Sequence, residues 1–259
     1  MTEKILKELS KIEEHHGVRI LYALESGSRA WGFASPDSDF DVRFVYVKKL
    51  RDYLRLDRRP DVIEWVNDGV LDINGWDVSK VLQHLHRSNA NVFEWIGSPI
   101  VYRTSEEWRE IASSASSFFR EKAAMYHYYG LARRTFEEHL RGETVSYKKC
   151  LYALRPLLAN CYILSFHACP PVPFEDLLRM ELPEDLMSAI RHLLEIKRVT
   201  TEGEKLPQIP ELQAFLQSEL TRQKSILASF PEDRENDWDT VNRLFLRILG
   251  EVDGKKRET

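Results

Sequence analysis

The fold is decided by residues 25–47, ESGSRAWGFASPDSDFDVRFVYV, which join a Gly-Ser loop to a stretch of alternating residues. The alternation has the period of two that a half-buried strand requires. Its apolar face consists of Phe40, Val42, Phe44 and Tyr46. Its other face carries Asp39, Asp41 and Arg43. The sequence therefore predicts a strand that buries one face and presents two carboxylates on the other.

The segments on either side extend this strand to a sheet. Residues 18–24, VRILYAL, form a short apolar run of strand length before the loop. Residues 69–76, GVLDINGW, are predicted as a further strand, followed by a helix with Asp77 at its N-cap. Beyond about residue 100, helical periodicity prevails. We therefore predict an α+β fold, with a mixed sheet and flanking helices in a domain of residues 1–100 and a helical domain of residues 101–259.

Composition limits the classes of protein that fit this chain. With 43% apolar and 30% charged residues among 259, it is typical of an ordinary globular protein. No stretch approaches the roughly 20 apolar residues that cross a bilayer, and the charged first residues are unlike a secretion signal. The three cysteines lack metal-ligand spacing, so a reduced, cytoplasmic protein without a membrane partner is expected. The net charge of −4 excludes a polybasic nucleic-acid binder, but not a nucleic-acid substrate, and oligomeric state stays open.

Asp39 and Asp41 are the first candidates for chemistry. Two positions apart on a strand, they point to the same side, roughly 6.6 Å apart along the backbone. Carboxylates so placed suit hard divalent cations such as Mg²⁺, and two-metal sites hold their ions about 3.5–4 Å apart. By itself, such a pair on a half-exposed strand is usually a solvated face. Whether Asp39 and Asp41 form a site or a solvated face therefore depends on the residues that precede the strand.

Gly27 and Ser28 supply that context. A Gly-Ser turn after a buried strand lets backbone N–H groups and a hydroxyl approach a phosphate closely. The neighbouring Arg29 adds a permanent positive charge whose fork geometry suits phosphate. Alone, the dipeptide would be an ordinary loop. Placed shortly before the aspartates, it predicts one unit of strand, phosphate cradle, connector and metal strand.

Four segments together resemble a known family. They are the stretch quoted above and the segments LDINGWDVSKVL, SNANVFEWIGSPIVY and YKKCLYALRPLLA. The Gly-Ser and Asp-x-Asp spacing resembles the signature of the DNA polymerase β-like nucleotidyltransferase superfamily. More narrowly, the chain is similar to its bacterial and phage branch, the YcgL-like predicted nucleotidyltransferases or RNA-repair-associated polymerase β family. The resemblance implies a polymerase β-like palm for the N-terminal sheet.

The resemblance also implies a metal-dependent active site with a third carboxylate on a neighbouring strand. Asp72, inside LDINGW, is the first candidate for this carboxylate. Asp77 is the alternative, although its position equally suits a structural helix N-cap. Asp39, Asp41 and Asp72 would then act in catalysis and hold two Mg²⁺ or Mn²⁺ ions.

A nucleotide-binding face is implied in the helical half. Lys148, Tyr152 and Arg155 lie at i, i+4 and i+7 on one face of a predicted helix, with Lys149 beside them. By resemblance, this face and the Gly-Ser-Arg loop contact the nucleoside triphosphate. The alternative is that the face is a solvated basic stripe.

Glu94 and His127 are secondary candidates. Glu94 lies in the family-like stretch SNANVFEW, where an acid beside a large aromatic residue suits a buried, paired role. Its neighbour Trp95 is assigned to core packing rather than to a stacking platform. His127, in MYHYYG, is the histidine selected as a potential site residue.

The reaction that the resemblance implies is nucleotidyl transfer. An acceptor hydroxyl attacks the α-phosphate of a nucleoside triphosphate such as ATP, and pyrophosphate leaves. The favoured acceptor is an RNA 3′ end, by analogy at the level of the family. AMPylation of a protein partner is the second alternative, and transfer to a small-molecule hydroxyl is the third. A catalytically silent nucleotide- or RNA-binding module is the alternative of another class, and the intact Gly-Ser pair and carboxylates argue against it.

Overall fold

A computed structural model of the chain describes residues 1–57, 59–197, 204–233 and 235–254. These residues form two compact units that alternate along the chain. The first unit takes residues 1–30, 39–118 and the described stretch from 235 onward. The second takes residues 31–38 and the described part of 119–234. The two domains predicted from the sequence, residues 1–100 and 101–259, stay a prediction. The compact units describe which residues pack together, not where a domain begins and ends.

Strands and helices follow one another in the order expected of an α+β chain. The strands are β1 (Arg19–Glu25), β2 (Phe40–Val47), β3 (Val62–Asn67), β4 (Leu71–Asp77), β5 (Val101–Thr104), β6 (Thr144–Val145) and β7 (Leu206–Pro207). The helices are α1 (Thr2–His16), α2 (Gly27–Ala30), α3 (Leu50–Tyr53), α4 (Val78–His86), α5 (Ala90–Ile96), α6 (Glu106–Ser114), α7 (Glu121–His139), α8 (Tyr147–Phe166), α9 (Phe174–Leu177), α10 (Glu184–Lys197), α11 (Pro210–Ser229) and α12 (Trp238–Gly254), with a 3-10 turn at Ala115–Phe118. No helix within the described part of the chain is both long enough and apolar enough to cross a membrane.

The first unit is built on a five-stranded sheet of order β3-β4-β2-β1-β5. Strands β2 and β4 run parallel, and the other neighbouring pairs run antiparallel. The predicted α+β class with a mixed sheet is therefore confirmed. The parallel pair is important for function because the N-terminal ends of β2 and β4 lie at the same edge of the sheet.

The predicted apolar face of β2 is buried in the core of the first unit. Its members Val42, Phe44 and Tyr46 are fully buried. They form one apolar cluster with three residues of α1, namely Ile5, Leu9 and Ile12. Strand β4 comes so close to Phe44 that a Cβ atom at Gly75 would lie 2.1 Å from the ring. This packing fixes which face of β2 remains for polar side chains.

Helix α12 completes the first unit by packing against α4. The buried Asn236 precedes it and donates hydrogen bonds to the carbonyl groups of His86 (2.6 Å) and Phe118 (3.0 Å). The ring of Trp238 stacks on the ring of His86, with 3.6 Å between their centroids. The two Asn236 hydrogen bonds join residues 150 and 118 positions apart in the sequence.

The second unit is a helical cluster centred on α7 and α8. Leu151, Leu154 and Leu158 of α8 are buried in its core, as the periodicity predicted. The connector before β2 joins the same core, because Phe33 packs edge-on against Phe174, with 5.6 Å between ring centroids. The connector between the Gly-Ser loop and the aspartates is thus part of the helical unit.

Candidate active site

Asp41 and Asp72 are direct neighbours in the sheet. The parallel register of β2 and β4 pairs Asp41 with Asp72, and neighbouring strands lie about 4.8 Å apart. Asp39 lies one residue before β2, because strand pairing begins where the Phe40 N–H donates to the carbonyl of Val70, at 2.8 Å. The predicted strand therefore starts one residue later than the alternation suggested. The register brings together two of the three predicted carboxylates.

Arg43 links these two carboxylates. Its Nη2 atom lies 3.2 Å from Oδ1 of Asp41 and 2.8 Å from Oδ2 of Asp72. The side chains are 30% (Asp41), 34% (Asp72) and 21% (Arg43) exposed, so the cluster is accessible from solvent. A single nitrogen atom contacts both acids, which means that the two carboxylates converge on one cationic position. The sequence placed Arg43 on this face but gave it no role.

The Gly-Ser loop lies directly against Asp41. A Cβ atom at Gly27 would lie 2.2 Å from Oδ2 of Asp41, and the φ of Gly27 is +63°, so glycine is required on both counts. The following Ser28 is buried. Arg29 donates from Nε to the carbonyl of Asp39 at 3.0 Å, and its guanidinium lies 3.7 Å from the centroid of the Phe40 ring. The loop therefore lies in direct contact with Asp41 and, through Arg29, with Asp39.

Glu25 is a buried acid that the sequence reasoning did not select. It ends β1, is 0% exposed, and accepts a hydrogen bond from the backbone N–H of Asp41 at 2.8 Å. The hydroxyl of Tyr102 donates to its other oxygen. Burial raises the pKa of Glu25 above its ordinary value, in spite of these hydrogen bonds. Glu25 thus holds the backbone of Asp41 in place. A charged residue at the end of the apolar run VRILYAL was the available signal.

Asp77 lies at the opposite end of the same pair of strands. Its partner in the register is Tyr46, five positions beyond Asp41, or about 16 Å along the strand. Its buried carboxylate accepts from the N–H of Ser79 at 2.8 Å and lies 3.2 Å from Nζ of Lys48. Asp77 therefore has the helix N-cap role that was its structural alternative, and Asp72 is the aspartate of β4 that lies beside Asp41. The role of Asp72 as the third carboxylate stays a prediction.

The predicted nucleotide-binding face lies on α8, in the second unit. Arg155 is only 2% exposed; its guanidinium lies 4.6 Å from the centroid of the Trp31 ring, and Nη2 donates to the carbonyl of Val172 at 3.1 Å. Lys148 and Lys149 flank the ring of Tyr152, with Nζ at 5.7 and 5.9 Å from its centroid. Arg155 is therefore a packed residue, while Tyr152 and the lysines are half-buried. Their role in nucleotide binding stays a prediction.

The secondary candidates lie in different units. Glu94 is half-buried on α5 of the first unit, and His127 is half-buried on α7 of the second, with its ring against Tyr128. Trp95 is buried and packs against Trp76 with 4.5 Å between ring centroids, which agrees with the assignment to the core. Functional roles for Glu94 and His127 stay predictions.

The acids of this site fit a hard divalent cation. Within the described ranges, no group of three or more His, Cys, Asp and Glu side chains is arranged to hold a metal ion. Mg²⁺, however, is usually held by one or two carboxylates together with phosphate oxygens and water. Asp41 and Asp72 supply that pair, converging on a point that already accommodates the positive charge of Arg43. An ion bound there requires the Arg43 side chain to withdraw from between them.

Comparisons with known proteins extend over nearly the whole chain. The sequence model of the "RNA repair pathway DNA polymerase beta family" matches residues 1–247. The uncharacterized protein YcgL of Bacillus subtilis (strain 168) is 38% identical over 257 residues, covering 97% of this chain and 98% of that protein. A crystal structure of a nucleotidyltransferase-like protein from Exiguobacterium sibiricum 255-15 is 13% identical and covers 86% of this chain and 74% of that chain. The TM-score between the two structures is 0.29.

Proposed function

Because this chain belongs to the RNA repair pathway DNA polymerase beta family, we propose that it is a metal-dependent nucleotidyltransferase. It moves a nucleoside monophosphate from a nucleoside triphosphate to an acceptor hydroxyl and releases pyrophosphate. The acceptor is an RNA 3′ end, which the family description favours. The observation that most supports the proposal is the pairing of Asp41 with Asp72 directly against the Gly-Ser loop.

The acidic residues have two tasks in this reaction. Asp39, Asp41 and Asp72 would hold two Mg²⁺ or Mn²⁺ ions. When bound, these ions neutralise charge on the phosphates and make the acceptor hydroxyl more acidic. Asp72 takes the proton of the attacking hydroxyl on a carboxylate oxygen. Glu25 keeps Asp41 in position through the backbone N–H of Asp41.

The Gly-Ser loop receives the β- and γ-phosphates. Gly27 has no side chain, so the phosphates approach the backbone N–H groups of the loop without a steric barrier. Ser28 offers a hydroxyl, and Arg29 a permanent charge already oriented by the carbonyl of Asp39. Because these groups are fixed before the substrate arrives, the reaction gains mostly from positioning and charge neutralisation. The three cysteines are free thiols, which suits the reduced cytoplasm in which we place the protein.

Transfer of label from each α-³²P nucleoside triphosphate tests the proposal. The protein is offered RNA, lysate protein and a small-molecule extract, with Mg²⁺ or Mn²⁺. Asp41→Asn and Asp72→Asn remove one carboxylate charge each without changing side-chain size. Asp57→Asn is the matched control, because its side chain is 64% exposed and pairs locally with Arg55.

We expect label on RNA with the wild type and with Asp57→Asn, and loss of label with the other two variants. Label on protein or on a small molecule with the same dependence would keep the enzyme and replace its acceptor. Normal nucleotide binding without transfer to any acceptor would contradict the proposal and favour a binding module. Transfer that survives both Asp41→Asn and Asp72→Asn would contradict the assignment of the site.

A further inference from the structure

A cavity of about 480 Å³ opens at the other end of β2 from Asp41. Tyr46 and Lys48 of this cavity follow Asp41 by five and seven positions, about 16 and 23 Å along the chain. All residues that line it lie between 14 and 63, inside the first unit. Its volume falls in the range of pockets that hold small ligands. The cavity is therefore separate from the proposed active site.

Positive charge prevails around this cavity. Its permanent cations are Lys48, Lys49, Arg51 and Arg59. Its carboxylates are Glu14 and Asp52. Among the residues that the structure describes, Lys49, Arg51 and Arg59 make no ion pair, and Arg51 and Arg59 are exposed. Lys48 is neutralised by Asp77, so it is the other three cations that point to an anionic ligand.

The floor of the cavity contains an unsatisfied hydroxyl. Tyr46 is 0% exposed, and its hydroxyl has no hydrogen-bond partner in the described part of the chain. Buried polar groups without a partner are rare and costly, and a missing ligand is one of their ordinary explanations. Lys48 stands beside it in a fixed position, since Nζ donates to the carbonyl of Pro60 at 2.8 Å. The cavity thus combines a cationic rim with a lining tyrosine whose hydroxyl lacks a partner and is covered by its neighbours.

We propose that this cavity binds a phosphate-bearing ligand of about mononucleotide size. Lys49, Arg51 and Arg59 hold the phosphate, and Tyr46 donates its hydroxyl to a polar atom of the ligand once the side chains that cover it move aside. Val18 and Ile63 give the wall an apolar part that suits a ribose or a base. Such a ligand is either a free nucleotide or a nucleotide within an RNA strand. The inference does not rest on the proposed reaction, because it uses neither the aspartates nor a metal ion.

Calorimetric titration in EDTA tests the inference, since removal of divalent ions suppresses phosphate binding at the acidic site. The probes are inorganic phosphate, AMP and a 5′-phosphorylated RNA trinucleotide, titrated into the full chain. The variant Arg51→Glu/Arg59→Glu reverses charge at the cavity. Lys224→Glu makes the same kind of change at an exposed position on α11.

We expect binding to the wild type and to Lys224→Glu, and an affinity at least tenfold lower for the double variant. AMP as tight as the RNA identifies a free nucleotide as the source, and tighter RNA identifies a strand. Absence of binding by the wild type up to millimolar concentrations would overturn the inference. Equal affinities for the wild type and the double variant would overturn it as well.

Tyr46→Phe separates ligand binding from folding. If the hydroxyl has no role, its removal leaves affinity unchanged and stability equal or higher, because a buried unsatisfied group is lost. We expect unchanged or raised thermal stability together with an affinity several-fold lower. Unchanged affinity of Tyr46→Phe would remove Tyr46 from the site. Unchanged affinity of Arg51→Glu/Arg59→Glu would reject the cavity whatever the result with Tyr46→Phe.

Discussion

The acidic cluster on the sheet, Asp41 and Asp72, and the basic face on α8 carry opposite charge and differ in how far their charged groups are exposed. Asp41 and Asp72 are about one-third exposed and meet at a single position beside the Gly-Ser loop. Arg155, which was predicted to reach the nucleotide, is 2% exposed and packed against Trp31. The acidic cluster keeps its carboxylates accessible, whereas the basic face buries the guanidinium of Arg155 against an aromatic ring.

The difference teaches how much each kind of periodicity says about function. On a strand, the period of two assigns a side chain to one of two faces, and a buried partner face settles which one is open. On a helix, the periodicity alone does not say whether other segments cover a stripe of charged residues. The long side chain of arginine, moreover, packs readily on an aromatic ring. Polar alternation in a strand therefore predicted which charged side chains stay accessible, while a basic helical stripe did not.

The largest expected effect separates the two aspartates of β4. Asp72→Asn is expected to lower the rate of nucleotidyl transfer by about 100-fold or more, the scale for removing one charge-stabilising group, with little change in thermal stability. Asp77→Asn is expected to retain transfer but to unfold about 1–3 kcal/mol more easily, because the half-buried Lys48 loses its charged partner. Label transfer and denaturant unfolding measure both. The reverse pattern would exchange the roles assigned to the two residues.

The next effect concerns the basic face. Arg155→Met is expected to lower the free energy of unfolding by about 2–3 kcal/mol, since it removes a buried hydrogen-bonded cation stacked on Trp31. Lys149→Met, half-buried at the edge of the same face, is the control and is expected to cost under about 0.5 kcal/mol. Denaturant unfolding measures the difference. An Arg155→Met protein of full stability with a raised KM for the triphosphate would show that this face binds substrate after all.

A buried ion pair elsewhere in the first unit gives a structural reference for the Arg43 cluster. Burial of Glu107 alone would raise its pKa, but hydrogen bonds from Arg19, from its own backbone N–H and from Ser105, together with the charge of Arg19, outweigh burial and lower the pKa to about 2. The pair therefore stabilises the fold above the ordinary pKa of 4.5, and this contribution is lost as the pH falls towards 2. Glu107→Gln is expected to be about 2 kcal/mol less stable at pH 7. Unfolding curves of both proteins should converge at low pH, and a constant difference would contradict the assignment.

The smallest expected effect tests the contact between loop and acid. Gly27→Ala and Gly69→Ala both place an alanine at positive φ, which costs about 1 kcal/mol each. At Gly69 the added Cβ meets nothing within 4 Å, whereas at Gly27 it meets the carboxylate of Asp41. We expect equal losses of stability from the backbone, but a loss of transfer of about tenfold for Gly27→Ala alone. Equal activity of the two variants would mean that Asp41 moves aside without consequence.

Much of the sheet was predictable because local rules determine it. The alternation in β2 identified Val42, Phe44 and Tyr46 as buried, and Asp77 fitted a helix N-cap from its position alone. Glycine at 27, directly before a serine, also indicated a close approach. In each case the relevant neighbours lie within a few residues, so the sequence contains the whole argument.

The rest depended on pairing between distant segments. Nothing in the sequence states that β4 runs parallel to β2 with Asp72 opposite Asp41, since register is set by the assembled sheet. The burial of Glu25 and its bond from Tyr102, 77 positions away, follow from the same assembly. The burial of Arg155 could not be predicted either, because it depends on the connector carrying Trp31 packing into the helical unit.

The return of α12 to the first unit bears on how the protein is made. On a ribosome, the segment up to residue 118 emerges first, but Asn236 and Trp238, which cover His86, are synthesised only after the helical unit. At ordinary rates of translation this interval is on the order of 10 s. During that time helix α4 lacks its partner α12, so the surface that α12 covers is open to chaperones or to aggregation. Assembly of the first unit therefore waits for a segment that is synthesised after the second unit, although its decisive sequence stands near the beginning.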